Sequence, residues 1–211
     1  MFRIVLADDH ALVRRGLAAL LATDGRFQVV AEAGNGEDAL AALRETSPNV
    51  LLLDLSMPRL DGLETLRRLR SGGSRTRVLV LSMYDDAQFV AQALADGADG
   101  YLLKHAMDEE LFQALESVLS GHRYVSRSID FAHVDALETA RSSLTARERE
   151  VLQLIADGHT TQHIAEILGV SPHTATRHRA NLMQKLDAHN QVELVRAAVA
   201  RGLILMPRAG R

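Results

Sequence analysis

Short apolar runs alternate with amphipathic stretches throughout residues 1–120. The apolar runs predict β-strands at Arg3–Ala7, Gln28–Ala33, Val50–Leu53, Arg77–Leu81 and Gly100–Leu103. The amphipathic stretches predict helices near residues 11–22, 36–45, 61–70, 86–95 and 108–120. Several of the strand runs are continuously apolar, which is typical of strands covered on both faces in a parallel sheet. Five βα repeats with short connections therefore predict a doubly wound α/β domain with a five-stranded parallel sheet.

The pattern changes after residue 120. Residues 121–143 are polar and weakly periodic, apart from a helical stretch near Asp130–Thr139, and are predicted to be a linker. The sequence beyond Leu144 is helical in pattern, which predicts a small all-α domain over residues 144–211. The expected organisation is thus a domain at 1–120, a linker at 121–143 and a helical domain at 144–211.

Local signals place the helices of the second domain. Thr145 and Glu148 have capping-box spacing, and Gly158 is expected to end the helix that they begin. A second helix is predicted over residues 161–168, and Ser171-Pro172 opens a third with a hydroxyl cap and a proline in the first turn. A fourth is expected over Gln191–Arg201, before Gly202.

Composition narrows the functional class. Hydrophobic residues make up 47% of the chain, which is enough for packed cores, yet no apolar run approaches the roughly 20 residues of a membrane helix. The N-terminus lacks the layout of a secretory signal, and the absence of cysteine excludes disulfides and thiolate metal sites. We expect a cytoplasmic protein without a membrane partner.

Charge is distributed unevenly along the chain. The net charge of −3 combines −6 over residues 1–120 with +3 over residues 121–211, which favours cations as ligands of the first part and polyanions as ligands of the second. Ordinary surface variation would also explain a difference of this size. Only Lys104 and Lys185 are lysines among the 24 basic residues. In so arginine-rich a chain, each lysine indicates a position where a guanidinium group does not fit.

Polar residues follow four of the five predicted strands: Asp8-Asp9, Asp54, Ser82 and Lys104. In a parallel sheet the carboxyl ends of the strands share one edge, so these side chains are expected to meet there. Clustered carboxylates require a cation, and an all-oxygen site suits Mg²⁺. An aspartate in such a site is a candidate nucleophile that forms an aspartyl-phosphate. Each residue alone is better explained as a cap, a turn or a surface charge, so the interpretation depends on all of them together.

Residues 1–120 resemble the response-regulator receiver family, which has a flavodoxin-like fold. The resemblance rests on Ala7-Asp8-Asp9-His10, Leu53-Asp54-Leu55-Ser56-Met57-Pro58, Asp61-Gly62, Ser82, Tyr101 and Lys104. It implies phosphorylation of Asp54 by a partner histidine kinase, with Lys104 contacting the phosphoryl group and Ser82 and Tyr101 acting as switch residues. It also implies Mg²⁺ ligands at Asp9, Asp54 and the Ser56 carbonyl, with Asp8 assisting. Many receivers have a cis proline after the lysine; here His105 follows, and the geometry of that peptide is left open.

The segment Leu144–Ile204 resembles the LuxR-type helix-turn-helix, so the whole chain is similar to NarL/FixJ-type regulators. The resemblance rests on Leu144-Thr145, Arg147-Glu148, Glu150-Val151-Leu152, Ile164-Ala165, Leu168, Ser171-Pro172, Thr174, His178, Asn181, Lys185-Leu186 and Arg201-Gly202-Leu203. It implies that the chain binds double-stranded DNA through the third helix of the domain.

Helical geometry predicts the two faces of that third helix. Ala175, Leu182 and Leu186 fall on one stripe and should pack inward. The candidate DNA contacts are Thr176, Arg177 and Asn181 for bases, and Thr174, Arg179 and Lys185 for phosphates. The alternative is that the arginines form an ordinary solvated helix face.

Two departures from the LuxR-type pattern affect these predictions. Where the family usually has a basic and then an apolar residue, this chain has Thr176 and Arg177, so its base contacts are expected to be unusual. Where the family usually has a glutamate that completes a cap with Thr160, this chain has His163, and we expect a frayed second helix because a lost cap costs about 1 kcal/mol.

The last predicted helix places Val192, Val195 and Val199 on one face. Part of this face must pack inside its own domain. The resemblance implies that the exposed remainder pairs with a second copy, which predicts a homodimer in the active form.

Two functional classes are alternatives to a phosphorylation-controlled DNA-binding regulator. One is a docking module whose DNA binding is independent of phosphate. The other is an aspartate-nucleophile phosphatase, which typically has a second acid two residues after the nucleophile, where this chain has Ser56. We therefore expect no turnover enzyme, only a receiver that assists its own phosphorylation and dephosphorylation.

Overall fold

The computed structural model describes residues 1–142, 144–201, 203 and 204. The chain forms two compact units, Met1–Phe131 and Ala132–Arg211. The last residue of the predicted linker, the expected stop signal at Gly202 and the predicted domain's tail at 205–211 lie outside the described residues. Within the described part of the chain, no helix combines the length and apolarity needed to cross a membrane.

The first unit is a parallel sheet with helices between successive strands. Its strands are β1 (Phe2–Ala7), β2 (Phe27–Ala33), β3 (Val50–Asp54), β4 (Arg77–Ser82), β5 (Gly100–Leu103) and β6 (Tyr124–Val125). Its helices are α1 (Ala11–Ala22), α2 (Gly36–Thr46), α3 (Gly62–Ser71), α4 (Ala87–Ala95) and α5 (Met107–Leu119), with a 3-10 turn at Lys104–Ala106. The strand order β2-β1-β3-β4-β5-β6 confirms the doubly wound α/β fold predicted from the sequence.

The sheet has six strands rather than the five predicted. The additional strand, β6, comes from residues assigned to the linker and pairs in parallel with β5. The N–H of Ser126 donates to the Tyr101 carbonyl at 2.9 Å, and the Ser126 hydroxyl accepts from the Leu103 N–H at 2.9 Å. A strand of 2 residues has no readable period, so the sequence pattern could not predict it.

The central strands β1, β3, β4 and β5 are almost fully buried, as their continuous apolar runs predicted. One face of the sheet packs against α1 and α5 through a cluster that includes Leu17, Leu115 and Val118. Helix α3 begins very close to the end of β3. A Cβ on Gly62 would lie 2.2 Å from the Asp54 carbonyl oxygen, so this approach requires glycine.

The second unit contains helices with identifiable caps. They are α6 (Phe131–Ser142), α7 (Ala146–Ala156), α8 (Thr161–Leu168), α9 (Pro172–Leu186) and α10 (Gln191–Ala200). The predicted capping box of α7 is confirmed: the Glu148 N–H donates to Thr145 Oγ1 at 3.2 Å, and the Thr145 N–H donates to Glu148 Oε2 at 2.8 Å. Ser171 caps α9 as expected, accepting from the N–H of Thr174. The core includes Val151, Leu152 and other residues of these helices.

Candidate functional site

The polar residues at the strand ends lie together at the carboxyl edge of the sheet. The strands are aligned so that Ala7 pairs with Leu53, Asp54 with Leu81, and Ser82 with Leu103. The residues that end or follow these strands are therefore level with one another. Asp8, Asp54 and Ser82 are each almost completely buried, whereas Asp9 is exposed.

The ammonium group of Lys104 lies between two carboxylates. Its Nζ is 2.7 Å from Asp8 Oδ2 and 3.0 Å from Asp54 Oδ2. Apart from Lys104, these two buried oxygens have no hydrogen-bond partner within the described residues, so they retain coordination capacity beyond the ion pairs. The peptide between Lys104 and His105 is trans, because the described chain has no cis peptide bonds.

Burial and charge shift the pKa values of this group in ways that suit its position. Burial raises the pKa of Asp54 and the charge of Asp8 adds to the rise, although Lys104 and the N–H of Ser56 act in the opposite direction. Burial alone would lower the pKa of Lys104, but the hydrogen-bonding and charge interactions with the two carboxylates outweigh it and raise that pKa. Lys104 is therefore cationic at neutral pH, and a second cation would favour the fully ionised form of Asp54.

Four side chains at this edge are arranged so that one cation could contact them. Ligand atoms of Asp8, Asp9, His10 and Asp54 all lie within 4.8 Å of one another. The carboxylate set and the two oxygens with spare coordination capacity fit a hard divalent cation such as Mg²⁺. The sequence did not assign His10 to this cluster, and its position directly after the acidic pair does not by itself reveal the contact. His10 Nδ1 is 2.7 Å from Asp9 Oδ1.

The remaining predicted residues of the edge lie on β4, β5 and the following loops. Ser82 Oγ accepts from the Tyr84 N–H at 3.1 Å, and the Tyr101 hydroxyl donates to the Tyr84 carbonyl at 2.8 Å. Tyr101 is fully buried, which raises its pKa. Ser56 is exposed after β3, with Oγ 3.4 Å from the Tyr84 hydroxyl, and the role of its carbonyl as a metal ligand stays a prediction.

Helix α9 presents the two faces expected from its sequence. The inward stripe is confirmed, since Ala175, Leu182 and Leu186 are buried in the core of the second unit. The opposite face exposes Thr176, Arg177, Ala180, Asn181 and Gln184. This face carries donors and acceptors that can reach base edges in a major groove.

Several predicted contact residues of α9 also interact within the unit. Thr174 lies beside the cap, with its Oγ1 2.8 Å from Ser171 Oγ, and the Thr176 hydroxyl donates to the Pro172 carbonyl at 2.9 Å. Arg179 donates to Gln191 Oε1 at 3.0 Å.

Lys185 contacts a partner that the sequence did not suggest. Its Nζ lies 2.8 Å from Glu148 Oε2, which joins α9 to the capping box of α7. Burial would raise the pKa of Glu148, but Lys185 and Thr145 outweigh it and lower that pKa. This ion pair gives Lys185 a structural role, and its predicted phosphate contact stays untested.

Helix α10 divides its apolar residues between the core and solvent. Val195 and Val199 pack partly against the core of the second unit, together with buried Leu194 and Ala198. Val192 is 68% exposed. The predicted remainder available to a second copy is therefore centred on Val192.

The chain matches two families of known proteins in succession. Residues 4–116 match the response regulator receiver domain, and residues 142–198 match the bacterial regulatory proteins of the LuxR family. The transcriptional regulatory protein MctR of Rhizobium johnstonii is 36% identical over 203 residues, covering 96% of this chain and 95% of MctR.

Solved structures of response regulators are similar to the chain over nearly its whole length. The response regulator ChrA of a heme-sensing two-component system is similar with a TM-score of 0.54 and 32% identity, over 96% of this chain and 98% of that one. The response regulator RcsB, in a complex with DNA, is similar with a TM-score of 0.61 and 25% identity, over 94% of this chain and 98% of that one. These similarities extend over nearly the whole sequence, including both compact units.

Proposed function

The chain belongs to the two-component response regulators that join a receiver domain to a LuxR-family DNA-binding domain, and we propose that phosphorylation of Asp54 by a partner histidine kinase controls its sequence-specific DNA binding. The observation that carries the proposal is the position of Asp54. Its buried carboxylate lies 3.0 Å from the Lys104 ammonium, in a cluster with two further aspartates.

The proposed reaction transfers a phosphoryl group to the Asp54 carboxylate. A carboxylate oxygen attacks the phosphorus atom of a phosphohistidine, the P–N bond breaks, and an acyl phosphate forms on Asp54. Asp8, Asp9 and Asp54 would hold Mg²⁺, which when bound neutralises charge on the phosphoryl oxygens. Lys104 contributes a second, fixed positive charge beside both carboxylates.

The proposed switch follows from the hydrogen bonds at the end of β4. The Ser82 hydroxyl lies at the same edge as Asp54 and can donate to a phosphoryl oxygen. Moving Ser82 would alter the hydrogen bond from the Tyr84 N–H, and Tyr84 is also bonded to the buried Tyr101. Phosphorylation thereby changes the surface formed by these loops.

In the active form, the exposed face of α9 enters the major groove of double-stranded DNA. Arg177 and Asn181 are assigned to base edges together with Thr176, while Thr174, Arg179 and Lys185 are assigned to phosphates. Two copies pair through the exposed end of α10 around Val192, which matches paired half-sites in DNA. The regulator acts in the cytoplasm, and its receiver carries out no turnover reaction beyond the chemistry of its own Asp54.

The experiment compares Asp54→Ala with wild type and with a matched control, Asp85→Ala, which removes an exposed carboxylate near the same edge. Each chain is incubated with Mg²⁺ and a small phosphodonor, and phosphoryl uptake is measured by intact-protein mass. DNA affinity is measured by fluorescence anisotropy on a site selected from random duplexes. We expect uptake and phosphate-dependent affinity in wild type and Asp85→Ala, and neither in Asp54→Ala. Undiminished labelling of Asp54→Ala would overturn the assignment.

A further inference from the structure

Two histidines lie in contact at the start of α8. His159 immediately precedes the cap residue Thr160, and His163 is the third residue of the helix. Their Nδ1 atoms are 3.1 Å apart. The ring centroids are 4.6 Å apart and the rings are nearly perpendicular, at 85°. This pair lies outside the proposed DNA-reading face and the receiver site.

Two other capped helices of this unit, α7 and α10, carry a glutamate where α8 carries His163. In α7, Glu148 accepts from the N–H of Thr145, and in α10, Glu193 accepts from the N–H of His189 at 2.8 Å. At α8 the cap hydroxyl of Thr160 accepts from the N–H of His163 at 3.3 Å, while the His163 side chain contacts the neighbouring imidazole instead. The chain therefore uses an imidazole pair at a position where a glutamate would supply the second half of a cap.

The separation of the two nitrogens matches that of two ligands of one metal ion. With Zn–N bonds of about 2.0–2.1 Å, neighbouring nitrogen ligands lie roughly 2.8–3.4 Å apart for bond angles between octahedral and tetrahedral values. Perpendicular rings allow both nitrogens to approach one point without contact between the ring carbons. His163 is exposed and His159 is half-buried, so water can occupy the remaining coordination positions.

We propose that His159 and His163 bind a divalent transition-metal ion, Zn²⁺ or Ni²⁺, through their Nδ1 atoms. Imidazole nitrogen is a preferred ligand for these ions, whereas the carboxylate cluster around Asp54 suits Mg²⁺. In the metal-free pair, one Nδ1 carries a proton and donates to the other. On binding, that proton moves to Nε2 of the same ring, so two neutral imidazoles bind the ion without net loss of a proton.

The metal would join two positions close to those that a capping box joins. His159 precedes the cap residue and His163 lies within the first turn, so the ion would fix the start of α8 in place of the absent glutamate. In a helix-turn-helix, this helix crosses the DNA backbone ahead of the recognition helix. The ion is therefore expected to slow the local opening of this first turn.

The test is a calorimetric titration of the full chain with Zn²⁺ in excess Mg²⁺, which occupies the carboxylate site. Two variants remove one ligand each: His159→Asn, and His163→Gln, whose amide can still complete the cap and so protects the fold. The control is His189→Asn, because His189 precedes the cap of α10 just as His159 precedes the cap of α8. Hydrogen exchange of the first-turn amides of α8 is measured with and without Zn²⁺.

We expect wild type and His189→Asn to take up a single equivalent of Zn²⁺ that both ligand variants lose. Bound Zn²⁺ should slow amide exchange in the first turn of α8 in wild type and in His189→Asn, but in neither ligand variant. Equal uptake by wild type and His163→Gln would overturn the proposal. Equal loss in His189→Asn would also overturn it, since any exposed imidazole would then account for the binding. Unchanged exchange in the zinc-loaded wild type would exclude a site at this turn.

Discussion

Replacing Lys104 with methionine tests the electrostatics of the phosphorylation site most directly. The substitution removes the ammonium group that lies within 3.0 Å of both Asp8 and Asp54 and leaves an apolar side chain of similar length. Removing one partner from a buried ion pair typically destabilises a protein by about 3–5 kcal/mol. The two carboxylates that remain lie within 4.8 Å and repel by about 3.5 kcal/mol at an effective dielectric constant near 20, and the substitution removes the ammonium group that offsets this repulsion.

The loss of stability in Lys104→Met, its deficit relative to wild type, should depend on pH and on divalent cations. Burial already raises the pKa of Asp54, and losing Lys104 removes the interaction that lowers it, so this pKa rises further in Lys104→Met. Between the unfolded value near 3.8 and the raised folded value, the native state then binds more protons than the unfolded state. Stability must therefore fall as pH rises through this window, so the deficit is largest at pH 8 and shrinks in acid. Mg²⁺ should also reduce it, by neutralising the same carboxylates.

The chain provides its own probe and its own control. It has three tyrosines and no tryptophan, and Tyr84, Tyr101 and Tyr124 all lie in the receiver unit. Tyrosine fluorescence during urea unfolding therefore reports on that unit alone. The control is Lys185→Met, which removes the only other lysine, in the DNA-binding unit. A deficit in Lys104→Met below about 1 kcal/mol at pH 8 with EDTA, or one unchanged between pH 8 and pH 5, would refute this reasoning.

Four further outcomes are expected. Lys185→Met should lower the free energy of unfolding of the second unit by about 1 kcal/mol, as measured by thermal unfolding followed by circular dichroism. The loss is modest because Lys185 is partly exposed and solvent screens the ion pair, although Glu148 is buried. Because the pKa of Glu148 is lowered in the folded state, its contribution is present above the unfolded value near 4.5 and is lost as pH falls below it, which an acid titration of wild type would check. Ser126→Ala should destabilise the receiver by about 1–3 kcal/mol in the tyrosine assay, because the buried N–H of Leu103 loses its acceptor; an unchanged transition would contradict this. His163→Gln should slow amide exchange at the start of α8 by restoring a cap worth about 1 kcal/mol, and exchange equal to wild type would show that the first turn is not frayed.

The sequence predicted the elements that have a period or a cap. The continuous apolar runs of β1, β3 and β4 and the amphipathic helices between them have readable patterns, and their bounds agree with the structure to within one or two residues. The start of α7 was predictable because Thr145 and Glu148 contact each other locally. Strand β6 was not, because its hydrogen bonds go to β5, which is distant in sequence, and its own 2 residues carry no alternation.

The site was predictable to the level of topology but not of individual contacts. Parallel strands place their carboxyl ends at one edge, so the meeting of Asp8, Asp54 and Lys104 follows from the order of elements. The individual contacts between these side chains depend on tertiary packing, which the spacing of residues in the sequence does not reveal. The position of His10 in the acidic cluster and the ion pair of Lys185 with Glu148 both belong to this second kind. The helical period of α9 predicted which residues face outward, but not the hydrogen bonds that hold some of them.

The sixth strand has a physical consequence for how the receiver can signal. Tyr101 and Leu103 of β5 are both hydrogen bonded to Ser126, and Lys104 follows directly after Leu103. Strand β5, which carries Tyr101 and leads to Lys104, is therefore hydrogen bonded to the residues where the chain leaves the sheet. Tyr124 strengthens this attachment by donating to Glu110 on α5 at 2.8 Å. Because these bonds are short and the Leu103 N–H and Ser126 hydroxyl are buried, a displacement of β5 must either carry Ser126 with it or break them at a cost of about 1–3 kcal/mol. Either outcome changes the chain at the point where it leaves the receiver, without requiring a rearrangement of the central strands.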